Sequence, residues 1–109
     1  MSAPEAMRGE IWDVDFADFG EYPAVVMSVN ALNVRLGHVA VIPVTGTRGP
    51  ELTHIRLTPE TGLTRYPESY ADVTALQPVA RTDLLGQRGR LNRAELERIE
   101  TQLRTYLGV

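Results

Sequence analysis

Between Thr45 and His54 the chain places a hydroxyl, a guanidinium and an imidazole on one short polar stretch, Thr45-Gly46-Thr47-Arg48-Gly49-Pro50 and then Glu51 to His54. Such a set can handle a phosphate. A guanidinium grips two phosphate oxygens at once and carries its charge at every working pH. A threonine hydroxyl donates a hydrogen bond to another oxygen, and Thr47 can add a second hydroxyl or its backbone N–H. Imidazole is the side chain that titrates near neutrality, which suits His54 to proton transfer. Gly46 and Gly49 permit a close approach of the backbone. Each residue also has a plainer reading. Thr45 can cap the turn that follows it, Arg48 can be a solvated loop arginine, and His54 can be a half-exposed strand histidine. His38, at the start of a strand, reads as structural.

For these groups to act together, the strands on either side of the 45–50 loop must pair, which brings His54 near Thr45. The surrounding pattern is that of a β protein. Trp12, Val14 and Phe16 alternate with Asp13 and Asp15, the period-two signature of a strand with one face buried, so the aromatics read as core rather than as stacking platforms. Ala17 to Tyr22 is a turn or exposed loop before Pro23. Ala24 to Val29 lacks alternation, as expected of a strand buried on both faces. Asn30 to Gly37 is a connection and His38 to Val44 a third strand, with Pro43 expected at an edge or bulge. Leu52 to Leu57 places Thr53, Ile55 and Leu57 on one face and Leu52, His54 and Arg56 on the other. Thr58 to Glu68 is a long surface loop, Tyr70 to Leu76 a fifth strand, and Leu84-Leu85 a short sixth.

The last segment predicts an amphipathic helix. Leu96, Ile99, Leu103 and Leu107 recur at helical spacing with charges between them. Asn92 is placed as N-cap, Glu95 completes a capping box, Leu91 can staple to Leu96, and Gly108 ends the helix. Arg81, Arg88 and Arg90 lie loosely clustered before it, as a solvated surface or as a contact for RNA or a partner protein. The expected architecture is mainly β: one domain over residues 1–109, with residues 1–7 a patternless tail. Five to seven antiparallel strands form a small barrel whose open end the helix covers.

Composition narrows the function classes. The chain has 109 residues, 11 Lys+Arg against 14 Asp+Glu, and a formal charge of −3. That balance argues against a general nucleic-acid coat protein, because non-specific phosphate binding rests on basic side chains. With 43% hydrophobic and 23% charged residues the chain is an ordinary globular one, neither disordered nor collagen-like. It has no cysteine, so disulfides and thiolate metal sites are excluded, and two histidines do not make an all-histidine zinc site. No apolar run approaches the length of a membrane span or a secretory signal, so the expected location is cytoplasmic, with no cofactor and no metal.

Several segments together resemble the MazF/PemK family of type II toxin–antitoxin ribonucleases. Arg8-Gly9-Glu10-Ile11-Trp12 is similar to that family's opening Arg-Gly-Asp/Glu strand. Pro23-Ala24-Val25-Val26-Met27-Ser28 resembles its Arg-Pro-Ala/Val-Leu-Val strand, and Val41-Ile42-Pro43-Val44-Thr45 its third strand, which ends in Thr or Ser. Thr53-His54-Ile55 resembles the strand after the catalytic loop. Gly89-Arg90-Leu91-Asn92 through Leu107-Gly108 is similar to the closing Gly-x-Leu, helix and Leu-Gly end. The resemblance covers nearly the whole chain in the family's order.

The resemblance implies an SH3-like barrel, a homodimer, and metal-independent, sequence-selective cleavage of single-stranded RNA. It also implies neutralisation by a cognate antitoxin whose disordered C-terminal segment folds across the RNA groove. It assigns a catalytic role to Thr45. From their own chemistry Tyr22, Glu21 and Thr47 are the expected substrate contacts, Tyr22 by stacking on a base or relaying a proton, unless it only packs beside Pro23. One family position differs. The arginine that precedes the proline of the second strand, usually assigned a catalytic role, is Tyr22 here. Arg48 and His54 are then the basic groups expected to replace it, Arg48 by stabilising charge and His54 by moving the proton. Two alternatives remain at this point. One is a non-enzymatic toxin like the CcdB gyrase inhibitors, which share the barrel and end Trp-Gly-Ile where this chain ends Tyr106-Leu107-Gly108-Val109. The other is a catalytically degenerate relative that retains antitoxin or RNA binding.

Overall fold

The computed structural model describes residues 3–58 and 68–109. Seven antiparallel strands are joined in one sheet: β1 (Glu10–Asp15), β2 (Glu21–Val26), β3 (His38–Thr45), β4 (His54–Leu57), β5 (Ser69–Asp72), β6 (Gln77–Ala80) and β7 (Leu84–Arg90). Their spatial order is β4-β5-β3-β2-β1-β7, and β6 pairs with the first half of β3. A short helix α1 (Asn30–Asn33) interrupts the connection after β2, and the long helix α2 (Arg93–Leu107) closes the chain.

The sheet is buried on both faces, which is why the middle strands do not alternate. Ile11, Val25, Ile42, Val44, Ile55, Leu57 and Ile99 belong to one apolar cluster, against which Leu96 and Leu103 of α2 pack. Trp12, Val14, Ala24, Val26, Val39, Val41 and Leu84 form a second, with Phe16 at its border. Neighbouring residues of one strand therefore enter different cores. Trp12 is a core residue, as the alternation indicated, and Phe16 packs half-buried against its edge. Leu107, the last of the helical repeat, is half-exposed.

Helix α2 starts as its sequence requires. The Asn92 side chain accepts from Glu95 N at 2.8 Å, and Asn92 N donates to Glu95 Oε1 at 3.0 Å. The other oxygen, Glu95 Oε2, accepts from Thr58 N at 2.8 Å, which ties the end of β4 to the helix. Gly108 ends α2 in the left-handed region at φ 75°, a conformation that favours a residue without Cβ.

Several elements differ from the sequence reading. Strand β2 begins at Glu21 and ends at Val26, because Gly20 completes the preceding turn and frees Tyr22 and Pro23 to pair with Val14 and Asp13. The segment from Tyr70 divides: β5 stops at Asp72, whose side chain caps a 3-10 turn over Val73–Ala75, and β6 follows. Strand β7 extends seven residues to Arg90, although Gly, Gln and Arg dominate it, because β1 pairs with its whole length. Pro43 falls where β3 leaves β6 and takes up β5, so its missing N–H costs the ladders little. From residue 3 the expected tail is docked. Ala6 is fully buried, and Arg81 holds the carbonyls of Pro4 and Ala3 at 3.1 and 3.3 Å. The loop expected over Thr58 to Glu68 lies mostly outside the described residues.

Candidate nucleic-acid cleft

Along one face of β1, Ile11 is fully buried, whereas Asp13, two residues on, is only half-buried. The matching face of β2 runs from buried Val25 through half-buried Pro23 to exposed Glu21. The helix-covered core thus ends part-way along both strands, and the same faces continue into a cleft of about 870 Å³. That volume lies toward the upper end of ordinary ligand clefts, roughly 300–1,000 Å³. The expected site residues Glu21, Tyr22, Thr45 and Thr47 line it together, with Gly46 between the two threonines.

Thr45 is the last residue of β3, and its Oγ1 accepts from Thr47 N at 3.1 Å. It therefore caps the turn, as its plainer reading has it. A hydroxyl has one proton and two acceptor sites, so that contact leaves its donor available to a ligand. Tyr22 is 43% exposed beside the cleft, enough ring to stack on a flat partner.

Arg48 and His54 are elsewhere. The pairing expected around the 45–50 loop does not form, because β5 inserts between β3 and β4. Thr45 pairs with Tyr70, and Tyr70 pairs in turn with Arg56. Adjacent strands lie about 4.8 Å apart, so β3 and β4 are separated by about twice that. Arg48 and His54 line a second cleft of about 490 Å³ with Arg56, Glu68, Tyr70 and Arg98. His54 is well anchored there. Its Nδ1 lies 2.8 Å from Thr53 Oγ1 and its Nε2 3.8 Å from Asp72 Oδ2. Gly49 makes its close approach to this ring and not to a ligand: a Cβ built on it would come within 2.5 Å of two ring atoms. In the same cleft Tyr70 donates to Glu68 at 2.5 Å. That bond holds the Glu68 carboxyl below its usual range and pushes the Tyr70 hydroxyl up.

The cation in the Thr45 cleft comes from β7. Among the described lining residues Arg88 is the basic one. Its Nε and Nη2 donate to the two carboxylate oxygens of Asp13 at 2.8 and 3.0 Å. The hydrogen bonds to Asp13 raise the guanidinium pKa above its ordinary value. The sequence showed Arg88 only as one of three loosely spaced arginines. Of the others, Arg81 pins the N-terminal segment, and Arg90 pairs with buried Glu10 at 3.1 Å. The opening Arg8 is likewise structural, bonding the carbonyl of Met27 and pairing with Glu100 at 2.7 Å.

No three His, Cys, Asp or Glu side chains are grouped to hold a metal ion among the described residues. No helix among them is long and apolar enough to cross a membrane.

Known proteins resemble the chain over nearly its whole length. The family model for the PemK-like, MazF-like toxin of type II toxin-antitoxin systems matches residues 7–107. Endoribonuclease MazF4 of Mycobacterium tuberculosis is 28% identical over 109 residues, 100% of this chain and 97% of that protein. A mycobacterial endoribonuclease solved in complex with its cognate antitoxin superposes with a TM-score of 0.86 at 26% identity, over 95% of this chain and 96% of that one. The crystal structure of MazF from Deinococcus radiodurans shares the fold, with a TM-score of 0.83 at 19% identity over 100% of both chains.

Proposed function

The chain belongs to the PemK-like, MazF-like toxins of type II toxin-antitoxin systems, and from that premise we propose that it is an endoribonuclease whose active groups line the Thr45 cleft. The observation that carries this reading is the meeting of Thr45, Thr47, Glu21 and Tyr22, from two strands and a loop, on one cleft. The substrate is single-stranded RNA, and the reaction is attack of a 2′-hydroxyl oxygen on the adjacent phosphorus. The O2′–P bond forms as the P–O5′ bond breaks; one proton leaves O2′ and one is delivered to O5′. Nothing is oxidised or reduced. Of the two carboxylates in the cleft, Glu21 serves as the base, because both oxygens of Asp13 are engaged by Arg88. Thr45 donates a hydrogen bond to a non-bridging phosphate oxygen, where charge builds in the transition state. Tyr22, in the place of the family's arginine, holds a base by stacking and supplies no charge.

The protein acts in the cytoplasm as a homodimer and is silenced when an antitoxin segment fills the same cleft. The mycobacterial endoribonuclease solved with its cognate antitoxin supports this partner. The test is incubation of the purified protein with a long single-stranded RNA in the presence of EDTA. Discrete fragments from the wild type, and intact RNA from a folded Thr45→Ala variant, are expected. RNA left intact by the wild type would overturn the endoribonuclease reading and favour a degenerate toxin that only binds.

A further inference from the structure

We propose that Arg88 is the phosphate-binding cation of this cleft, supplied from β7 in place of the arginine that Tyr22 displaces on β2. This rests on the endoribonuclease reading. The register between β1 and β7 carries the placement. Ile11 pairs with Gly89 and Trp12 with Gln87, so Arg88 has no residue opposite it. It is the extra residue of a β-bulge. A second irregularity follows at once, where Asp13 pairs with Gly86 and Val14 with Leu84, leaving Leu85 as the extra residue. Both extra residues, and Gly86 between the bulges, line the cleft. Bulges re-aim side chains that regular alternation would send elsewhere, and they concentrate beside active sites.

The side chain so aimed is also held. Asp13 engages two of the five guanidinium donors through both its oxygens, which leaves three for a ligand. The planar fork can bridge a carboxylate on one edge and a phosphate on another. Asp13 is a positioning residue here, since it fixes the direction of the fork. Asp13 and Pro23 are paired across β1 and β2, one step from Tyr22. The bulged arginine therefore serves the same cleft that a cation at position 22 would serve, from the opposite side of β1. The chain contains no lysine, so a side-chain cation charged at every working pH is a guanidinium. Arg88 moves no proton; it stabilises the negative phosphorane, and its ion pair keeps it protonated throughout the working range.

Two measurements on Arg88→Ala and Arg88→Lys test this, with a thermal melt to establish that each variant is folded. The first is cleavage of the long RNA used above. Arg88→Ala is expected to slow it about a hundredfold or more, the effect of losing one preorganised donor to a developing charge, and Arg88→Lys to recover part of the rate. The second is the salt dependence of binding to a single-stranded DNA oligonucleotide, which lacks the attacking 2′-hydroxyl. Losing one phosphate contact should make the slope of log K against log salt shallower by about 0.7, whereas loss of a structural ion pair alone would leave it unchanged. An Arg88→Ala variant with the wild-type slope overturns the assignment, and so does one that cleaves as fast as wild type while Thr45→Ala is inert. If the wild type cleaves nothing, the endoribonuclease reading fails and the binding slope still decides Arg88.

Discussion

Thr45 and His54 flank the same loop in sequence, yet β5 lies between their strands: Thr45 pairs with Tyr70, and His54 with Asp72. A single cleft cannot use both as neighbours. Thr45→Ala is expected to cost roughly 2–4 kcal/mol of transition-state stabilisation, and His54→Gln to leave cleavage within about threefold of wild type. Single-turnover rates of both variants on one RNA check this. A His54→Gln variant as slow as Thr45→Ala would return His54 to the active site.

Gly49 is required by His54. Its missing Cβ is the space that the imidazole occupies, with two ring atoms 2.5 Å from where that carbon would stand. Gly49→Ala should destabilise the fold by about 1–3 kcal/mol through overpacking. The loss should shrink sharply in a His54→Ala background, because the two sites share one volume. Chemical denaturation of the wild type, the two single variants and the double variant measures the coupling, and additive losses would refute it.

Glu95 joins the start of α2 to the end of β4 while only 1% exposed. It caps α2 through Asn92 and receives Thr58 N. Glu95→Ala should therefore cost at least about 2 kcal/mol, as hydrogen bonds to a charged group are lost together. Asn92→Ala, which removes the cap alone, should cost about 1 kcal/mol. Equal losses in urea unfolding would show that the tie to β4 contributes nothing.

The Tyr70–Glu68 bond fixes two titrations with opposite signs. Glu68 has a lowered pKa in the fold, so its contribution is present above the ordinary carboxylate range and fades as pH falls through the lowered value. Tyr70 has a raised pKa, so its contribution is present below the ordinary tyrosine range and fades as pH rises through the raised value. NMR titration of the Tyr70 ring should give a midpoint above that of an ordinary tyrosine, and Glu68→Gln should lower it. A midpoint that Glu68→Gln does not move would show that the bond does not form in solution.

Tyr106 and Leu107 at the end of α2 and Val109 after it are exposed. Apolar surface of this kind suits a symmetric pair of chains. Light scattering at micromolar concentration is expected to give twice the 12.1 kDa of one chain. A mass of one chain would remove the homodimer.

What the sequence settles by itself is what neighbours along the chain decide. The capping box of Asn92 and Glu95, the αL glycine at 108, the core side of Trp12 and Val14, and the doubly buried run around Val25 all follow from local spacing. The ordered motifs also identify the family, and Thr45 with its turn can be read directly. Tertiary structure decides which strands become neighbours. β3 and β4 are consecutive described strands, but β5 enters between them, and that moves Arg48 and His54 to another cleft. Arg88 stays hidden in sequence for a related reason. Its segment, Gly86-Gln87-Arg88-Gly89, has no apolar alternation of its own and becomes strand only through pairing with β1. A bulge is a mismatch between two strands, so no single strand's sequence displays it. The partner that gives the guanidinium its direction, Asp13, is brought to it by the fold alone.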